Sequence, residues 1–146
     1  MTITSSEFTA GQPIPSTYTC QGKNTNPPLV IDSIPDQTQS LALIMDDPDA
    51  PSGTFTHWVT YNLPPGTTEI TAHALPTGAA EGLNDSGGTD YVGPCPPSGT
   101  HRYYFRVWAL DTTLNLPAGA SRKQVESAMT NHQIGHAELM GTYQKH

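Results

Sequence analysis

The sequence predicts a mostly β fold, an antiparallel β-sandwich with one or two short helices, and three observations point there. First, strand-like stretches rich in aromatic and β-branched residues recur along the chain. Second, 14 prolines and 13 glycines among 146 residues punctuate it with turns. That is too many for a helical bundle and too few for a disordered chain. Third, a single segment carries helix-start chemistry. The length suits one domain over residues 1–146, enough to enclose a core.

The elements follow in order. "PPLVID" (27–32) reads as a short strand entered through prolines, and "SLALIMD" (40–46) as a buried strand, a continuous apolar run with both ends marked. "HWVTYNL" (57–63) and "RYYFRVWAL" (102–110) have strand composition, the latter beginning near His101. Ser121 with Gln124 three residues on forms a capping-box pattern ahead of "RKQVESAM", so a helix starts there. "AELMGTY" (137–143) reads as a closing strand, weakened by its Ala and Glu. Between Ala74 and Pro97 the chain reads as mostly loop, a length that carries function or walls a site.

Charge narrows the function classes. Thirteen acidic residues against six basic ones give a formal charge of −7. Nucleic-acid binding by counterion release is excluded, and an anionic membrane surface would repel the protein. An anionic ligand would need a local site that overcomes this field. The N-terminal residues show neither the basic nor the apolar region of a signal peptide, and no apolar run approaches a membrane span. The expectation is a soluble, cytoplasmic protein without membrane insertion. Cys20 and Cys95 read as two buried thiols, with a single bridge between distant loops left open.

Side chains alternate along a strand, so parity sorts the polar residues at strand ends. His101, Tyr103 and Phe105 share a face. Asp47 follows Leu41, Leu43 and Met45. His57, taken as the first residue of its strand, shares a face with Val59 and Tyr61. Asp47, His57, His101 and Tyr103 therefore all lie near strand ends beside rigid loops, where a sandwich would form a pocket. Asp46 and Asp49 are expected to accept from loop N–H groups instead. The tetrapeptide "PSGT" occurs twice, at 51–54 and 97–100, and reads as a matched pair of turns in which Gly supplies the angles other residues avoid.

Catalytic readings fare poorly. No G-x-S-x-G elbow exists. Ser52 and Ser98 belong to the turns, and Cys95, flanked by prolines, reads as wall rather than nucleophile. Counting a calcium loop from Asp47 puts Ser52 where Gly is required. Asp47, His57 and His101 match the ligand types of a two-histidine, one-carboxylate iron site, kept as a minor alternative. The chain is expected not to be an enzyme and to need no metal or other cofactor.

The motifs resemble the phosphatidylethanolamine-binding protein (PEBP) family, in its prokaryotic Raf-kinase-inhibitor-like, YbhB/YbcL-type branch. "SLALIMDDPDAP", "THWVTYNLP", "GPCPPSGTHRYYFRVWALD" and "HAELMGTYQK" carry the resemblance, in that order along nearly the whole chain. It implies a PEBP-like β-sandwich of a large and a small sheet. It implies a ligand site at Asp47, His57, His101 and Tyr103, with main chain and a wall from Gly93, Cys95 and Pro96. It also implies a cis peptide at Ala50–Pro51, and the extended C-terminal helix of eukaryotic members has no counterpart before His146. The implied function is a small binding or regulatory protein for phosphate-bearing or similar anions, such as a phospholipid head group. There Asp47 would accept from an imidazole and favour a cationic donor, or face an ammonium group. Relatives that inhibit kinases and serine proteases imply an alternative. In it a kinase or protease partner would be held by surface contact, with Trp58, Tyr91 and Trp108 at the pocket mouth. A homodimer is left open.

Overall fold

The computed structural model describes residues 1–72 and 74–146. Among these residues eight strands form two antiparallel sheets. The small sheet has order β1-β2-β5, from Thr2–Thr4, Leu29–Asp32 and Glu69–Ile70. The large sheet has order β6-β4-β3-β7-β8. Its strands are β3 (Ser40–Asp47), β4 (Phe55–Leu63), β6 (Ala80–Glu81), β7 (His101–Leu110) and β8 (Gln133–Tyr143). One helix, α1, spans Arg122–Met129, and a single 3₁₀ turn covers Ser16–Tyr18. The expected large-and-small-sheet sandwich is the observed architecture.

The large sheet is covered on both faces. Leu41, Leu43, Met45, Phe105 and Val107 point toward Ile3, Leu29, Ile31 and Ile70 of the small sheet and build the main core. Ala42, Ile44, Val59 and Tyr61 point the other way, under Leu114, Ala120, Val125 and Met129. All eight residues of β3, central in its sheet, are therefore buried, which explains its unbroken apolar run. On the helix side the Ser121 hydroxyl accepts from Gln124 N–H, and the Gln124 side chain accepts from Ser121 N–H. The capping box read from the sequence is formed in full.

One correction concerns an element end. β8 begins at Gln133, four residues earlier than expected, because its ladder with β7 continues from His101↔Tyr143 to Leu110↔Gln133. Ten paired partners outweigh the weak strand propensity of its first residues. The 74–97 segment is mostly loop, as expected, with the two-residue edge strand Ala80–Glu81 added to β4. No helix among the described residues is long and apolar enough to cross a membrane.

Both PSGT segments are turns with left-handed glycines, Gly53 at φ 106° and Gly99 at φ 69°. In the first, Gly53 N–H donates to Ala50 O at 3.1 Å, placing Pro51 at the second position of the turn. A trans proline suits that position. No described residue carries a cis peptide bond, so the cis bond expected at Ala50–Pro51 is not present.

Candidate functional site

β4 carries an irregularity that creates the site. Its register with β3 runs Ile44↔Val59 and Met45↔Trp58, then shifts to Asp46↔Thr56 and Asp47↔Phe55. His57 is the extra residue of a β-bulge, and such a residue is turned out of the plain alternation. Residues directly paired share a face, so Phe55 lies with Asp47, while Val59 lies with Ile44 on the helix side. The expectation that His57 shares a face with Val59 and Tyr61 therefore fails. His57 turns instead toward Tyr103, its ring centroid 5.3 Å away and edge-on, and toward Phe55 at 4.8 Å. Nor is His57 the first residue of its strand, which starts at Phe55.

Local hydrogen bonds hold the bulge open. Thr56 N–H donates to the Asp85 carboxylate at 2.8 Å, and Asp85 N–H returns to Thr56 O at 2.9 Å. Val92 N–H donates to His57 O, and His57 Nδ1–H donates to Val92 O at 2.6 Å. The carbonyl can only accept, so the proton sits on Nδ1 and Nε2 is left with its lone pair in the neutral ring. Burial pushes the His57 pKa below its ordinary value, ahead of the Val92 bond and the nearby carboxylates, which raise it.

The remaining three residues behave as parity requires. β7 sends His101, Tyr103 and Phe105 to one face, and Asp47 reaches the same side from β3. His101 Nδ1–H donates to Asp47 Oδ2 at 2.7 Å, a buried pair. The other oxygen, Asp47 Oδ1, accepts from Asp49 N–H at 2.8 Å. The Tyr103 hydroxyl is pushed upward in pKa by burial first and by the Asp47 carboxylate second, so it stays a donor. Asp47, His57, His101 and Tyr103 line one cavity of about 270 Å³ with Gly93, Cys95 and Pro96. All seven residues singled out from the sequence are thus brought together. Sequence reasoning missed Phe55, Ser86 and Val92, which line the same space; the first needed the true start of β4, and the others sit in the long loop.

The wall is locked in place. Cys20 and Cys95 form a disulfide, which overturns the reading of two buried thiols and removes Cys95 as a nucleophile. Counting cysteines left the bridge open without favouring it; the fold brings their Cα atoms to 5.5 Å, within bridging distance. Such bridges persist mainly in oxidising compartments, so the bond lends no support to the cytoplasmic expectation. Gly93 N–H donates to Asn24 Oδ1 at 2.8 Å, and Cys20 N–H to Pro94 O at 3.1 Å.

Several other expectations change. Asp46 does not bind loop N–H groups: it faces the helix side, chelated by Arg106 at 3.1 Å and Arg122 at 2.8 Å. Asp49 accepts from Arg102, both from its backbone N–H and from its guanidinium, which pulls the Asp49 carboxyl down to about 2. Trp58 and Tyr91 pack edge-to-face, 1% and 8% exposed, and line a separate cavity beside Asn24, Leu75 and Asp90 rather than the mouth of this one. Trp108 is partly buried against His136. Among the described residues no three His, Cys, Asp or Glu side chains converge where a metal could be held, so the iron-site alternative lacks its geometry.

Comparison with known proteins agrees with this architecture. The family model described as phosphatidylethanolamine-binding protein matches residues 4–144. A UPF0098 protein of Methanothermobacter thermautotrophicus is 53% identical over 137 residues, covering 90% of this chain and 91% of the relative. A crystal structure of a putative PEBP homolog from Chlamydia trachomatis superposes with a TM-score of 0.96 at 43% identity, covering 99% of this chain and 97% of that one. Escherichia coli YbcL, described as a new member of the mammalian PEBP family, gives 0.92 at 32% identity, covering 99% and 98%.

Proposed function

The chain belongs to the phosphatidylethanolamine-binding protein family, and from that premise we propose that it is a non-enzymatic binding protein whose cavity takes the phosphate or a similar anionic group of a small ligand. The observation that carries this reading is the meeting of four polar side chains from three strands at one cavity. The Tyr103 hydroxyl supplies a donor. His101, with Nδ1 spent on Asp47, turns its other nitrogen to the ligand. With Nδ1–H on Asp47, that nitrogen donates only if binding brings a second proton to the ring; charge-assisted bonds to phosphate are about twice as strong as neutral ones, so an imidazolium formed with the ligand would offset the −7 background locally.

Asp47 is less of an obstacle than its charge suggests. Both its oxygens accept from donors, the His101 ring and Asp49 N–H, so it acts as an orienting base for His101. A cavity of about 270 Å³ falls at or just below the ~300 Å³ where pockets for drug-sized ligands begin. That favours a head group over a whole lipid. Phe55, Val92 and the proline-rich wall make the remaining lining apolar, which strengthens each polar contact by excluding water.

Calorimetric titration with O-phosphoethanolamine and with inorganic phosphate tests the reading. Saturable one-to-one binding that weakens in Tyr103→Phe and His101→Ala supports it. Binding of equal strength in wild type and both variants overturns it.

A further inference from the structure

His57 presents an acceptor, not a donor, to the cavity. Its Nδ1–H is committed to Val92 O. Among the described residues none bonds its Nε2, and among them no fully buried side-chain nitrogen or oxygen lacks a partner, so Nε2 is reached from the space it lines. An anion oxygen cannot approach a lone pair without a proton between them. We infer that the cavity takes its anion together with one proton, shared between the ligand oxygen and His57 Nε2. This rests on the anion-binding reading above and names the protonation state in which the ligand is held.

The surroundings of His57 set where that proton sits. Asp47 on β3, Asp46 beside it and Asp85 in the 74–97 segment favour the imidazolium by their charge, while Tyr103 on β7 stays neutral against the ring edge. Burial outweighs them and keeps the ring neutral in the free protein. A phosphomonoester can bring the proton itself, since its second ionisation lies near ~6. The cavity therefore selects the P–OH monoanion, which donates to Nε2 while another of its oxygens accepts from Tyr103; His101, its Nδ1–H already on Asp47, can add a second donor only by taking a proton of its own. A phosphodiester has no such proton, so His57 must draw one from solvent onto a buried ring. Phosphomonoesters are accordingly the preferred class.

Calorimetry in buffers of different ionisation enthalpy counts the protons on the wild-type protein. With O-phosphoethanolamine at pH 7.5, wild type is expected to take up about one proton more per site than His57→Gln, whose amide offers a donor near the Nε2 position. Wild-type uptake is expected to fall at pH 5.5, where the ligand already carries the proton. Dimethyl phosphate is expected to bind wild type more weakly than the monoester at pH 7.5. Equal uptake by wild type and His57→Gln at pH 7.5 overturns this inference and leaves the anion site standing. Absence of binding by either phosphate at millimolar concentration overturns both.

Discussion

His101 Nδ1 lies 2.7 Å from Asp47 Oδ2, joining the first residue of β7 to the last residue of β3. The pair is buried, and Asp49 N–H holds the second carboxylate oxygen, so the ring has one orientation. Asp47→Ala should leave His101 unanchored and weaken O-phosphoethanolamine binding by about 10-fold or more, since hydrogen bonds to charged groups contribute ~1.5–3 kcal/mol. Titration calorimetry of the variant measures this; affinity equal to or above wild type would mean that Asp47 only repels the ligand.

Burial of His57 predicts a pH dependence of stability. The folded ring titrates below its ordinary value of 6.5, so the unfolded chain takes the proton first as pH falls. This contribution is complete above about 6.5 and is lost as pH falls from there toward the folded value. Asp49, drawn from 3.8 to about 2, contributes above 3.8 and loses its share only between there and 2, a separate window. Urea unfolding at pH 7.5 and 5.5 should show a larger loss for wild type than for His57→Gln. Equal losses would place the titration elsewhere.

Gly93 sits where no side chain fits. A Cβ there would overlap Tyr18 O, lie 2.5 Å from Asn24 Oδ1 and 2.9 Å from Thr19 Cα, against backbone that cannot yield cheaply. Gly93→Ala should cost ~1–3 kcal/mol, the range for overpacking, and displace the wall of the cavity. Thermal unfolding together with phosphate titration checks both effects.

The disulfide joins residues 75 apart in sequence, so it restricts a long loop of the unfolded chain. Removing a native bridge from a small domain costs ~2–5 kcal/mol. Reduction, or Cys95→Ser, should lower the urea midpoint by a corresponding amount and weaken anion binding, because Cys95 lines the cavity. Stability unchanged on reduction would show that the surrounding hydrogen bonds suffice.

On the opposite face of the large sheet, Asp46 is 1% exposed between Arg106 and Arg122. Asp46→Ala removes the buried partner shared by two guanidinium groups, which keep Glu138 and Glu126, and should destabilise by ~1.5–3 kcal/mol, the range for hydrogen bonds to charged groups. Anion binding should change little, since Asp46 lies on the far face. Urea unfolding and phosphate titration of one variant separate the two effects.

Much of this was legible in the residues, and the exceptions have physical causes. Parity placed Asp47, His101 and Tyr103 on one face because β3 and β7 pair without a break from Ser40↔Leu110 to Asp46↔Tyr104. It failed at His57 because a bulge is an event of pairing, invisible to the periodicity of one strand. β1, β5 and β6 are two or three residues long, too short to carry a period. The bridge between Cys20 and Cys95 depends on loops brought together by the whole fold, which spacing does not encode. Asp46 was misassigned since its partners, Arg106 and Arg122, lie 60 or more residues away on β7 and α1.

The most direct test follows the imidazole ¹⁵N resonances by NMR while O-phosphoethanolamine is added. His132 and His136, side chains nearly half exposed and paired with Asp111 and Glu138, serve as internal controls. Saturable shifts at His57 and His101 with the controls unmoved are the predicted result. Shifts confined to the exposed histidines, or none at His57 and His101 under saturating ligand, would contradict an anion site at this cavity.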